Sequence, residues 1–114
     1  MDFSKYYDNM KLVGFVANLD CFHEKCKIIF NTIDIVGAGN LLAKFIHFNI
    51  FKFDYLDCVY NTFNDNSTII CNSSGKVKLL DNKNKVISTV FFSETFIVSN
   101  NNNKITHYIL KFHS

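Results

Sequence analysis

Four histidines, four cysteines and ten carboxylates are the groups in this chain whose types suit chemistry. Nucleophilic catalysis needs a base beside a Ser, Thr or Cys and a third group that orients the base. His23, His47, His107 and His113 stand in no G-x-S-x-G elbow or comparable signature, so each reads as a surface or structural histidine. Asp54 and Asp57 lie three apart in a segment of period two, which predicts opposite faces and no convergent carboxylate pair. Asp54 reads as a solvated strand residue; as a lone base in a concave sheet, with Tyr55 or Tyr60 nearby, it would instead serve a small-molecule-binding or enzymatic site. Glu94, flanked by Phe92 and Phe96, would be costly to bury alone and is expected to pair with a Lys at a subunit rim. Cys21, Cys26, Cys58 and Cys71 form no C-x-x-C pair and read as small apolar side chains instead of metal ligands. The Gly37-Ala38-Gly39 segment lacks the Lys-Ser/Thr of a phosphate loop and reads as helix-start punctuation. The residues thus predict no catalytic group, no cofactor and no metal.

The bulk properties narrow the partners. A length of 114 residues makes one domain, and 48% hydrophobic with 19% charged residues is a globular balance. Net charge is only +2, the twelve lysines are scattered from Lys5 to Lys111, and there is no Arg. A nucleic-acid binder concentrates basic residues on one face and favours Arg for bidentate contacts, so direct nucleic-acid binding is not expected. No apolar run approaches the ~20 residues of a membrane span, and Met1-Asp2-Phe3-Ser4-Lys5 does not read as a signal peptide. The expected location is cytosol or nucleus, without membrane insertion.

The elements that would position these residues follow from periodicity. Phe3, Tyr6, Tyr7, Met10, Val13, Phe15, Val16, Leu19 and Phe22 recur at helical spacing, predicting a helix over 3–26 with a break near Gly14. Two short strands, 26–30 and 33–36, follow around Asn31-Thr32, and a second helix carries Leu41, Leu42, Phe45 and Ile46. From Ile50 the period becomes two. Strands are predicted to about Phe63, over 68–80 with an interruption at Ser73-Ser74-Gly75, over 86–98, and over 104–112. The architecture is therefore α+β: two to three N-terminal helices packed on an antiparallel meander.

Both faces of the 86–98 strand are substantially apolar. One reads Val86, Ser88, Val90, Phe92, Glu94, Phe96 and Val98; the other Ile87, Thr89, Phe91, Ser93, Thr95 and Ile97. A sheet with one wet face should alternate cleanly. Two helices cover one face, so the second is expected to meet a partner sheet. Val90, Phe92, Glu94 and Phe96, with Tyr108 and Leu110 of the last strand, are the predicted partner interface. In the competing arrangement, strong curvature buries both faces internally.

Several segments are similar to the nuclear transport factor 2-like family. Phe30, Ile35-Val36-Gly37 and Leu41-Leu42-Ala43-Lys44-Phe45 resemble its aromatic, apolar-x-Gly and second-helix pattern. Ser67-Thr68-Ile69-Ile70 with Gly75-Lys76-Val77 resembles its next long strand. Phe92-Ser93-Glu94-Thr95-Phe96-Ile97-Val98 and Tyr108-Ile109-Leu110-Lys111-Phe112 resemble its closing hairpin. The resemblance spans nearly the whole chain and implies a cone-like curved sheet wrapped on helices. It also implies a non-enzymatic nucleocytoplasmic transport factor that acts as a sheet-to-sheet dimer at the nuclear pore, in nucleus and cytoplasm. The implied partners are Phe-Gly nucleoporins, with either Ran-GDP for a homodimeric carrier or a larger export receptor for the accessory subunit of an mRNA-export heterodimer. The acidic loop of the Ran carrier falls on Leu80-Asp81-Asn82-Lys83, where Asp81 is the acidic residue.

Overall fold

The structure is a computed structural model and describes residues 1–113. Helix α1, Phe3–Leu12, leads into a 3-10 segment, Phe15–Cys21, and strands β1, Phe22–Phe30, and β2, Ile33–Val36. Helix α2, Ala38–His47, precedes four long strands: β3, Lys52–Asn64; β4, Thr68–Leu80; β5, Val86–Ser99; and β6, Ile105–His113. Asp2 starts α1 by accepting the Lys5 N–H, and Phe3, Tyr6, Tyr7 and Met10 face inward at helical spacing.

The helical pattern predicted through residue 26 resumes as the 3-10 segment and ends at Cys21, and the break predicted near Gly14 is present. There φ is +118°, and a Cβ would lie 2.3 Å from the Phe51 carbonyl oxygen, so neither the backbone nor the space accepts another residue. Beyond it, Phe22, Cys26, Ile28 and Phe30 are buried as one face of a strand, not as helix. Ile28 to Phe30 pairs antiparallel with β2 on one side and parallel with β6 on the other. Those two ladders satisfy the backbone of this segment on both edges, which a helix over the same residues would forgo.

One six-stranded sheet runs in the order β2-β1-β6-β5-β4-β3. Its register assigns every side chain to a face. Inward lie Phe53 and Tyr55 of β3, Cys71, Ser73, Val77 and Leu79 of β4, and Tyr108 and Leu110 of β6. From β5, Phe92, Glu94, Phe96 and Val98 join them. The two helices cover this concave side. Tyr6 packs edge-on to Phe96 with centroids 5.0 Å apart, and Phe45 packs edge-on to Phe15 and Phe30 at 5.2 and 5.3 Å. Such contacts add roughly 0.5–1.5 kcal/mol per pair beyond area burial.

The interruption expected at Ser73-Ser74-Gly75 is absent, because β4 pairs continuously with β5 through these residues. The irregularity sits across the ladder, between Tyr55 and Asp57 of β3, where Leu56 is the extra residue. That bulge shifts the face of everything beyond it. Asp54 opposes Lys78 and Asp57 opposes Lys76, so the two aspartates share the outer face instead of lying on opposite ones.

Candidate partner-binding face

The structure divides the predicted interface residues from the surface. Phe92, Glu94, Phe96, Tyr108 and Leu110 are buried inside the chain's own core, and Val90 is half-buried against the same cluster. Glu94 and Phe96 meet Tyr7, Phe3 and Tyr6 of α1, and Phe92 packs on Tyr55 of β3. The large aromatics were expected to face outward; they turn inward because the sheet curves around α1, and its concave side needs bulky side chains to fill it. The odd-numbered residues of β5 form the outer face.

Glu94 has no lysine partner. Its Oε1 accepts the Tyr7 hydroxyl at 2.7 Å and the Ser73 hydroxyl at 3.1 Å, and its Oε2 accepts the Tyr108 hydroxyl. Tyr7 and Ser73 are also 2.6 Å apart. Burial raises the Glu94 carboxyl above the usual range, and the three hydroxyl donors only partly offset that. A raised native pKa favours the protonated acid in the fold. The stabilisation is therefore full below the unfolded-state pKa, ~4.3, and is lost as pH rises through the native value. Glu94→Gln removes this loss. In urea titrations from pH 4 to 9 the variant should gain stability relative to wild type as pH rises, and a difference independent of pH would refute a raised carboxyl.

This cluster is the nearest approach to an acid–base site, yet it has no room for a substrate. Met10 and Tyr6 above it are fully buried, and Glu94 itself is only 3% exposed. Its chemistry is to hold α1 on the sheet. Sequence reasoning missed it because Tyr7 and Glu94 are 87 residues apart. The Asp54–tyrosine arrangement does not assemble either. Asp54 faces outward and lies 3.7 Å from the Lys11 ammonium, while Tyr60 packs on Phe3 and Tyr7 and the buried Tyr55 hydroxyl has no partner among the described residues.

The remaining candidates are placed as follows. Burial pushes the Cys26 and Cys71 thiols up to about 12 and the Cys58 thiol to about 11, which keeps them protonated and unreactive. Asp81 starts the β4–β5 turn. Its Oδ1 accepts the Lys83 N–H at 2.8 Å and the Lys85 N–H at 2.9 Å, and these bonds hold its carboxyl below the usual range. His107 and His113 lie on the outer face of β6, where the His113 Nε2 is 3.1 Å from the Ser93 hydroxyl.

The outer face is laid out in rows by the register. Phe63, Ile70, Ile97 and His107 follow one another from β3 to β6, and Asn72, Thr95, Ile109 and Ile29 form the row beside them. Ser74 and Ser93 pair below these rows, followed by Lys76 and Phe91. Thr95 donates to Asn72 at 2.9 Å, and the middle is built of small polar side chains. Around it stand apolar groups open to solvent: Phe91 is 56% exposed, Phe63 58%, Val59 62% and Ile29 37%.

Comparison with known proteins bears on the fold and the family. The sequence matches the family model for the nuclear pore RNA shuttling protein Mtr2 over residues 2–108. No curated protein matches the sequence. Among solved structures, nuclear transport factor 2 from Cryptosporidium parvum is similar with a TM-score of 0.75 at 15% identity, covering 97% of this chain and 88% of that one. The Candida albicans Mtr2–Mex67 M domain complex is similar with a TM-score of 0.71 at 10% identity, covering 96% and 90%. A polyketide cyclase-like protein from Xanthomonas campestris shares the fold with a TM-score of 0.71 at 12% identity, covering 97% and 87%. These likenesses establish the nuclear transport factor 2-like fold, which hosts both carriers and enzymes. With its polar interior filled and the family model spanning almost its whole length, the chain belongs to the nuclear pore RNA shuttling protein Mtr2 family.

Proposed function

We propose that this chain is the small subunit of an mRNA-export heterodimer, docked through its outer sheet face onto a larger receptor subunit of the same fold. The observation that carries this reading is the outer face itself. Exposed Phe91 and Ile29 and half-buried Ile70, Ile97 and Ile109 surround a centre of small polar side chains, Asn72, Ser74, Ser93 and Thr95. Small central side chains let a second sheet approach to the ~10 Å of face-to-face packing. The apolar surround supplies the desolvated contacts of an interface that needs ~800 Å² per partner.

Charge favours a different chain as the partner. On the outer face β6 carries Lys111, Lys27 of β1 stands opposite His107, and Asp34 of β2 stands opposite Ile29, so the lysines outnumber the carboxylate there. A surface of this sign fits a partner bearing carboxylates there. The Ran-GDP carrier reading has less to stand on. Asp81 spends one carboxylate oxygen on its own turn, and Lys83 and Lys85 follow it, so the loop is not acidic. Shuttling through the nuclear pore, with its contacts to Phe-Gly nucleoporins, belongs in this reading to the assembled pair.

Co-expression with the larger receptor of the same cell tests it. Wild type should co-purify as a one-to-one complex, and a Phe91→Asp/Ile97→Asp double variant should bind about a hundredfold more weakly or not at all. Both substitutions are on the outer face, so the variant's circular dichroism should match wild type. A folded variant that binds the receptor as tightly as wild type would remove the outer face from the interface.

A further inference from the structure

We propose that the free half of β3, residues 58–64, is a self-pairing edge that joins two copies of this chain strand to strand in antiparallel fashion, centred on Asn61. Strands at the rim of a sheet present unpaired N–H and C=O groups, and stable proteins blunt them with shortness, charge, proline or a bulge. The two rims of this sheet are β2 and β3. β2 is only four residues long and carries Asp34. β3 is thirteen residues long, and only its first half is defended, by Asp54, Asp57 and the bulge at Leu56.

Beyond Asp57 the defence ends. Cys58, Val59, Tyr60, Asn61, Thr62, Phe63 and Asn64 carry no charge and no proline, and the register with β4 is regular to the end. Val59, Tyr60 and Phe63 are 62%, 39% and 58% exposed. Phe3 at the start of α1 packs on Tyr60, and the rest of the β3–β4 hairpin beyond it is open.

The segment is complementary to itself under a two-fold axis. An antiparallel pair centred on Asn61 sets Val59 opposite Phe63 of the second copy, Tyr60 opposite Thr62, and Asn61 opposite Asn61. The faces agree. Through their β4 partners Val59, Asn61 and Phe63 lie on the outer face, while Tyr60 and Thr62 lie on the inner one. Val59 therefore meets Phe63 on the outer face, Tyr60 meets Thr62 and Cys58 meets Asn64 on the inner one, and no like charges oppose, which is compatible with closed two-fold symmetry. The two sheets then become one continuous sheet. Val59 and Phe63 border the outer face, but the pairing uses the free edge of β3 and not the β5–β6 centre on which the proposed heterodimer rests.

Sedimentation equilibrium on the full chain alone, across the micromolar range, tests the pairing and its register. Wild type should show a monomer–dimer equilibrium. A Val59→Lys/Phe63→Lys variant places Lys against Lys twice and should raise the dimer Kd about tenfold or more. A Val59→Lys/Phe63→Glu variant places Lys against Glu twice in this register and should recover most of the lost affinity. Ile97→Asp should leave the dimer intact. A wild type monomeric throughout overturns the proposal, as does a Lys/Lys variant that still dimerises or a Lys/Glu variant as weak as Lys/Lys. Loss of the dimer in Ile97→Asp would move self-association to the sheet face and overturn it equally.

Discussion

Phe96→Asp is expected to leave the chain without a cooperative unfolding transition at 25 °C, while Ile97→Asp, one residue along β5, should fold like wild type. Phe96 is fully buried, with its ring 4.9 Å from Tyr108 and 5.3 Å from Phe3. Removing a buried Phe ring costs about 3–5 kcal/mol, and an ionisable carboxylate set in its place adds a desolvation cost that no neighbouring cation offsets. Together these reach the whole stability of an ordinary domain, about 5–15 kcal/mol. Ile97 faces outward beside Ile70, where an Asp remains hydrated. Urea unfolding followed by circular dichroism separates the two. A wild-type midpoint for Phe96→Asp would contradict the assignment of even-numbered β5 residues to the interior.

The second large effect belongs to a glycine. A Cβ on Gly75 would lie 1.8 Å from the Asp57 carbonyl oxygen, 2.6 Å from its carbon and 3.0 Å from the Cys58 Cα, all of them backbone atoms. Nothing there can rotate away, so Gly75→Ala must push β3 off β4 at the bulge. A loss of about 3 kcal/mol follows, seen as a melting temperature lower by roughly 10 °C. Gly39→Ala is the matched control. It lies in α2 with nothing within 4 Å of the added carbon, so it should stabilise by up to ~1 kcal/mol. Equal melting temperatures for the two variants would mean that β3 and β4 do not approach so closely at Gly75.

Local pattern made much of this fold legible. Asn31, at the β1–β2 turn, has φ of +56°, and the strand it opens, Ile33–Val36, is the one predicted. The alternation in β4, β5 and β6 and the polar clusters between them placed those strands within a residue or two, because their backbone pairing and their side-chain faces share one period. The helical spacing beyond the break near Gly14 holds as the 3-10 segment Phe15–Cys21 and fails from Phe22, where β1 begins. Phe15, Leu19 and Phe22 fit a helical spacing, but Phe15 meets α2 through Phe45 while Phe22 already belongs to β1 and packs on Tyr108. Contacts so distant in sequence overrode local periodicity.

The candidate site divides along the same line. Composition and periodicity by themselves determined an α+β chain with a strand apolar on both faces and no signature of catalysis, because those properties depend on residue type and local spacing. Which of the two faces lines the core was decided only by tertiary structure. Both faces of β5 are apolar in sequence, and it is the curvature around α1, with Tyr7 brought onto Glu94, that makes the even-numbered residues the core and leaves Phe91 and Ile97 on the outer face. The bulge at Leu56, which puts Asp54 and Asp57 on one face, likewise depends on the clearance above Gly75, a distance between two strands that no single stretch of sequence contains.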